Sequence, residues 1–189
     1  MKYATFFVMC AFSPPILASE QLELPHYDWG ACPFECCTYK EWETTKPVIA
    51  REKPSSFSRT LFTVPPKQSV TGLTGVVITI SPGITRILKP VQLGYTKDEK
   101  GPMLSLKPGE KIYTLHYLGE GYDLFWYKGN TYSDQCNVSE NAFGNVPFAG
   151  DVKVESRPKT SWWVKFKDNK GRVGWSEVNE NFVHVDACE

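Results

Sequence analysis

The stretch Ser161–Glu177, SWWVKFKDNKGRVGWSE, decides the fold. Trp162, Val164 and Phe166 alternate with Trp163, Lys165 and Lys167, the period of a half-buried strand. Asp168-Asn169-Lys170-Gly171 is turn chemistry, because Asp and Asn tolerate left-handed backbone and Gly supplies positive φ without a steric cost. Arg172-Val173-Gly174-Trp175 then runs back. A lone two-stranded hairpin is marginal in water. Its apolar face therefore needs further strands, and a small barrel or sandwich is expected around it.

The rest of the chain agrees. Of 189 residues 14% are aromatic, and fourteen Gly and fourteen Pro punctuate a sequence without a long helical period. That mixture predicts an all-β fold of short strands. Lys46–Ser56 reads as a strand running into a Pro/Ser loop, and further strands are expected at Leu61–Val64, Val70–Thr74 and Gly75–Ile80, where Val76-Val77-Ile78 is a β-branched run. Ile84–Leu88, Leu104–Leu106, Lys111–Leu118 and Tyr122–Lys128 continue the pattern as a meander, with Lys107-Pro108-Gly109-Glu110 as a turn. Val152–Glu155 and Phe182–Val185 read as two more strands. Ser19–Asp28 reads as a polar lead-in.

Residues 1–18 look like a signal peptide: Lys2 supplies the positive start, Ala4–Phe12 the apolar stretch, and Ala18 the small residue at the cut. Export would place the chain in a periplasmic or extracellular, disulfide-permissive compartment, with no transmembrane segment in the mature chain. Charges balance, Lys+Arg 21 against Asp+Glu 21, which argues against a nucleic-acid partner.

Cysteine is concentrated in Trp29–Tyr39, where Cys32, Cys36 and Cys37 fall within six residues; Cys136 and Cys188 stand far away. Adjacent Cys36 and Cys37 point oppositely on an extended chain and suit different partners. Two of the three are expected to bridge to Cys136 and Cys188, stapling the N-terminal segment across the domain. The alternative is a Cys-dependent thiol-redox or metal-binding exported protein. Against zinc, the second pair of ligands is missing and His26, His116 and His184 stand singly. Against redox chemistry, no Cys-x-x-Cys adjoins a βαβ unit. No metal or other cofactor is expected.

The hairpin resembles bacterial SH3 (SH3b-type) domains: Trp163-Val164-Lys165-Phe166, a polar turn, then Gly171-Arg172-Val173-Gly174-Trp175. Val48–Pro54 resembles the opening strand and Pro-containing loop of that family, and Thr63–Val70 its next segment. A second set, Leu106–Ile112 followed by Gly121–Gly129, lies between. The resemblance implies two SH3-like units, residues 44–80 completed by 151–186 with 82–135 inserted; the alternative is a single enlarged barrel with a long insertion. The Cys-rich segment 19–43 precedes them and has no place in the SH3 pattern. The resemblance also implies a non-catalytic binding module for a cell-wall peptide or partner protein. Outward aromatics flanked by charge would line its groove, and the candidates are Trp163, Tyr117, Tyr122, Phe125, Tyr127 and Trp175. Trp163, expected to face out beside Lys165 and Lys167, leads them. No Gly-x-Ser-x-Gly elbow or phosphate-binding Gly loop occurs, which leaves Cys136 with His116 or His184 as the sole nucleophile option.

Overall fold

The computed structural model describes residues 21–96, 103–134 and 150–188; the expected leader and Cys136 lie outside them. Among the described residues there are sixteen strands and no helix. Five come first: β1 (His26–Trp29), β2 (Glu41–Thr44), β3 (Val48–Arg51), β4 (Thr60–Val64) and β5 (Ser69–Ser81). The middle supplies β6 (Gly83–Ile87), β7 (Val91–Leu93), β8 (Tyr95–Thr96), β9 (Leu104–Leu106), β10 (Lys111–Gly119), β11 (Tyr122–Tyr127), β12 (Asn130–Asp134) and β13 (Val152–Ser156). The chain closes with β14 (Lys159–Asp168), β15 (Val173–Glu177) and β16 (Phe182–Val183).

Eight strands form a curled half-barrel in the order β16-β2-β5-β14-β15-β3-β4, with β1 added beside the upper part of β5. Six form a second sheet, β13-β6-β10-β11-β12-β8, and β7 pairs with β9. The chain leaves the first sheet after Ser81 and returns at Lys159. Residues 152–156, grouped by the sequence with the closing hairpin, hydrogen-bond to β6 instead. Opposite charges support that pairing: Glu155 meets Arg86 at 2.6 Å and Lys111 at 3.3 Å.

Alternation on β14 sets the first core. Val164 and Phe166 point inward with Trp42, Val48, Ala50, Val64, Val70 and Phe182, and Trp162 packs against the same cluster. The turn after β14 is held by Asp168, whose Oδ1 accepts from the Lys170 and Arg172 N–H groups (3.0 and 2.8 Å) and whose Oδ2 accepts from Arg172 Nε (2.8 Å). Burial works against the Asp168 carboxylate, but these bonds outweigh it and hold its pKa below the ordinary value. The Arg172 guanidinium also lies 4.2 Å from the Phe62 ring centroid.

Where two strands were expected between Val70 and Ile80, one thirteen-residue strand runs through. Gly75–Thr79 is buried throughout, because β1 and β14 flank it and the second sheet packs on one face. Thr79 Oγ1 donates to the Leu115 carbonyl across that contact (2.9 Å). The second core holds Ile87, Val91, Leu93, Leu106, Ile112 and Phe125.

The Cys-rich segment is a brace between the sheets. Phe34 packs edge-on against Trp162, and Tyr39 against Trp42. The Gly30 N–H donates to the Gly75 carbonyl (2.8 Å), and Tyr39 OH donates to the Ala31 carbonyl. Gly75 is required for that approach: a Cβ there would fall on the Tyr39 hydroxyl and within 2.8 Å of Trp162 Nε1. The bridges are Cys32–Cys37 and Cys36–Cys188. The link to Cys188 matches expectation; the expected link to Cys136 gives way to a local one. Cys37 hydrogen-bonds back to the Phe34 carbonyl (3.3 Å), and this turn brings Cys32 and Cys37 to a Cα separation of 5.5 Å, ordinary for a disulfide. The two bridges are compatible with an oxidising, exported compartment.

Candidate functional site: an aromatic groove on the outer face

The outer face of the first sheet carries its own cluster. Trp163 and Trp175 come from the hairpin, and Val76 and Ile78 from β5. The register explains the convergence: Trp163 sits opposite Val76 on one side and Glu177 on the other, while Tyr27 sits opposite Ile78. Trp163 does face away from Val164 and Phe166, but at 4% exposure it is buried rather than displayed beside the lysines. Its neighbours close over it, and its Nε1–H donates to Ser161 Oγ (3.2 Å).

Above this floor lies a groove of about 490 Å³. Leu24, Pro25 and Tyr27 form one wall, the loop 54–57 forms the other, and Ile78, Trp163 and Glu177 lie between. Tyr27 and Trp29, on β1, stack with centroids 5.8 Å apart, and Trp29 meets Trp175 edge-on at 5.9 Å. Both rings are exposed, Trp29 at 59%. Alternation turns Asp28, between them, the other way, toward the second sheet. There Asp28 Oδ2 lies 3.0 Å from Nε2 of the buried His116, whose Nδ1–H donates to the Tyr117 carbonyl (2.7 Å). That anchor fixes the wall that carries Tyr27.

The opposite wall is a braced loop. The Glu52 N–H donates to the Arg59 carbonyl (3.0 Å), the Lys53 N–H to Ser58 Oγ (2.9 Å), and Arg51 Nη1 to the Ser58 carbonyl (2.9 Å). Arg59 pairs with Glu52 at 3.2 Å, and its hydrogen bond lowers the Glu52 carboxyl pKa. The Ser58 N–H donates to the Ser55 carbonyl (3.0 Å), so the tip is a closed turn. Phe57 stands on that tip at 99% exposure. Burying such a ring would stabilise by about 2–3 kcal/mol, and Phe57 does not stand alone: Leu24, Tyr27 and Ile80, also exposed, line the same groove, and a grouped apolar surface marks a contact site.

The other sequence candidates do not join this groove. Trp175 is in its underlying cluster. Phe125 is fully buried in the second core, stacked on Tyr132, so it presents no surface to a ligand. Tyr127 packs on the same core and donates its hydroxyl to Glu110 Oε1 (2.7 Å). Tyr117 OH accepts from the Gly121 N–H (2.9 Å) and organises the β10–β11 turn. Tyr122 is exposed and lines a separate cavity of about 740 Å³, with Phe34, Glu35 and Cys36. Of the cysteine chemistry, Cys36, Cys188 and Asp186 group within 4.8 Å, but both sulfurs are tied in a disulfide and offer no thiolate to a metal. His116 is 2% exposed; His184 is exposed, and Cys136 lies outside the described residues.

Sequence reasoning missed Tyr27, Trp29 and Phe57. The first two lie on a four-residue strand, too short for its alternation to stand out from a polar lead-in. Phe57 sits in a Pro/Ser loop, where no periodicity applies. A large aromatic amid Pro54-Ser55-Ser56 was the available signal. No protein-family model, curated protein or solved structure matches the chain. Among the described residues no helix is long and apolar enough to cross a membrane.

Proposed function

We propose that the chain is an exported, non-catalytic SH3-like binding module whose outer-face groove takes an extended peptide, of the cell wall or of a partner protein. The two sheets are read as two SH3-like units, the second inserted in the first. The exchange of sheets after Ser81 and before Lys159 supports that reading, as does the Trp-strand, polar-turn, Gly-Trp hairpin. The observation that carries the function is Phe57, fully exposed on a loop rigidified by backbone and side-chain bonds and facing the Tyr27 wall across an apolar floor. Rigid aromatic anchors around a depression are what extended ligands use for affinity, because little side-chain freedom is lost on binding. Titrating soluble cell-wall muropeptides against tryptophan fluorescence tests it. Saturable change in the wild type, weakened about tenfold or more in Phe57→Ala, is expected; no change with any muropeptide removes the cell-wall ligand.

A further inference from the structure

Among the described residues the groove carries one formal charge. Glu177 is half-buried at its inner edge, directly opposite Trp163 on the neighbouring strand. Its backbone carbonyl accepts from Ser176 and Asn181, but its carboxylate makes no hydrogen bond or ion pair with any described residue. Among the described residues no Lys or Arg lines the groove, and its other polar side chains there are the Tyr27 hydroxyl, the Ser55, Ser56 and Ser161 hydroxyls and the Trp163 indole. Aromatic faces carry negative potential and attract cations. Here the exposed Tyr27 ring and an unpartnered carboxylate combine fields of the same sign over an apolar floor. An anionic ligand would be repelled, and a neutral one would leave the carboxylate partly desolvated without a partner.

The groove also has a continuation. Leu24 lines both this groove and a second depression of about 310 Å³ on the second sheet, formed with Leu22, Pro82, Tyr113 and Trp126. Tyr113 and Trp126 meet edge-on, 5.7 Å apart, and no charged residue among those described lines that depression. The combined path is therefore negative at one end and neutral, aromatic and apolar at the other.

Resting on the reading of the groove as a peptide site, we propose that it selects an extended segment bearing a lysine-type ammonium. The ammonium seats against Glu177 beside the exposed Tyr27 ring, and the segment's uncharged continuation crosses Leu24 onto Tyr113 and Trp126.

Two capped probes test this: acetyl-Gly-Ala-Lys-Ala-Leu-Ala-amide, and the same peptide with norleucine in place of lysine, which keeps the alkyl chain and removes the charge. Titration by calorimetry is expected to show about tenfold tighter binding of the lysine peptide. In Glu177→Gln that ratio falls to about one, and in the wild type it shrinks as salt rises from 50 to 500 mM. Trp126→Ala weakens both peptides alike and leaves the ratio intact. Thermal melts check that Glu177→Gln stays folded, as expected for a carboxylate without a partner. Equal binding of both peptides, or a ratio unchanged in Glu177→Gln, overturns the ammonium assignment while leaving a peptide groove standing. Binding of neither peptide, with or without binding of chitotriose, overturns the assignment together with the peptide reading.

Discussion

Trp162 and Trp163 are neighbours on one strand, and they belong to different parts of the protein's life. Trp162 points into the curled sheet, against Trp42 and Phe34, where the cluster is closed and tied down by the Cys-rich brace. Trp163 points the other way, into a cluster of four residues that floors an open groove. Both are largely removed from water, so burial alone does not tell them apart. What differs is what lies above them. The inner face ends in packed aromatics, whereas the outer face ends in rings left in solvent: Tyr27, Trp29 and Phe57. A strand buried on both faces can thus hold a fold with one and present a surface with the other.

The largest test of that division is Phe166→Ala. Phe166 is wholly buried and packs edge-on against Phe62 and Phe182, so its removal leaves a cavity in the first core. A loss of about 3–5 kcal/mol is expected from urea denaturation. Lys167→Ala on the opposite face, exposed and one residue away, is expected to change stability by less than about 0.5 kcal/mol. Similar losses for the two would mean that β14 is not divided as described.

The bridges come next. Cys36–Cys188 closes a loop of 152 residues and Cys32–Cys37 a loop of 5, so the chain-entropy account gives the first about 5 kcal/mol and the second about 2. Cys188→Ser is therefore expected to lower the urea midpoint more than Cys32→Ser does. Equal effects would show that strain or residual structure in the unfolded chain decides the matter, not loop length.

These contrasts also separate what the sequence displayed from what it hid. The hairpin was legible because strand period and turn chemistry are both local: Asp168 bonds to residues two and four further on, and nothing distant is needed. The alternation correctly divided Val164 and Phe166 from Trp163. It could not say which of two faces is covered, because cover comes from other strands. For Trp163 it comes from Val76 and Ile78, almost ninety residues earlier; for Phe125 it comes from the β6 and β7 side of the second core. The same limit hid the groove. Its walls, residues 24–27 and 54–57, meet only because β1 and β3 both belong to the sheet that β14 centres. The local Cys32–Cys37 bridge was hidden too, since spacing alone leaves the pairing of three clustered cysteines open.

Asp168 gives a smaller, pH-readable effect on the hairpin that joins the two faces. Its folded pKa lies below the ordinary carboxylate value, so its contribution is fully present above that value and is lost as pH falls through the folded one. Asp168→Asn keeps the size of the side chain but loses the charged acceptor facing Arg172. A loss of about 1–3 kcal/mol near neutral pH is expected, shrinking as pH falls below the ordinary carboxylate range and through the folded pKa. A wild type and variant that stay equally far apart throughout an acid titration that carries the wild type through that transition would remove the carboxylate's charge from the account.

The smallest effect on stability is expected where the effect on binding is greatest. Phe57 touches water on every side, so Phe57→Ala should leave the urea midpoint within about 0.5 kcal/mol of wild type and relieve, if anything, an exposed apolar surface. Trp163→Ala is the less informative variant for the same question, although the sequence points to it first. Removing a buried indole from the cluster of Val76, Ile78 and Trp175 is expected to cost about 3–5 kcal/mol, so lost binding there would report a damaged floor as readily as a lost contact. The comparison is therefore sharpest between two aromatics on the same groove. If Phe57→Ala keeps the fold and weakens peptide binding about tenfold, the outer face is a surface kept for a ligand. If it keeps both, the exposed phenyl is incidental, and the open side of β14 is only a second, thinner core.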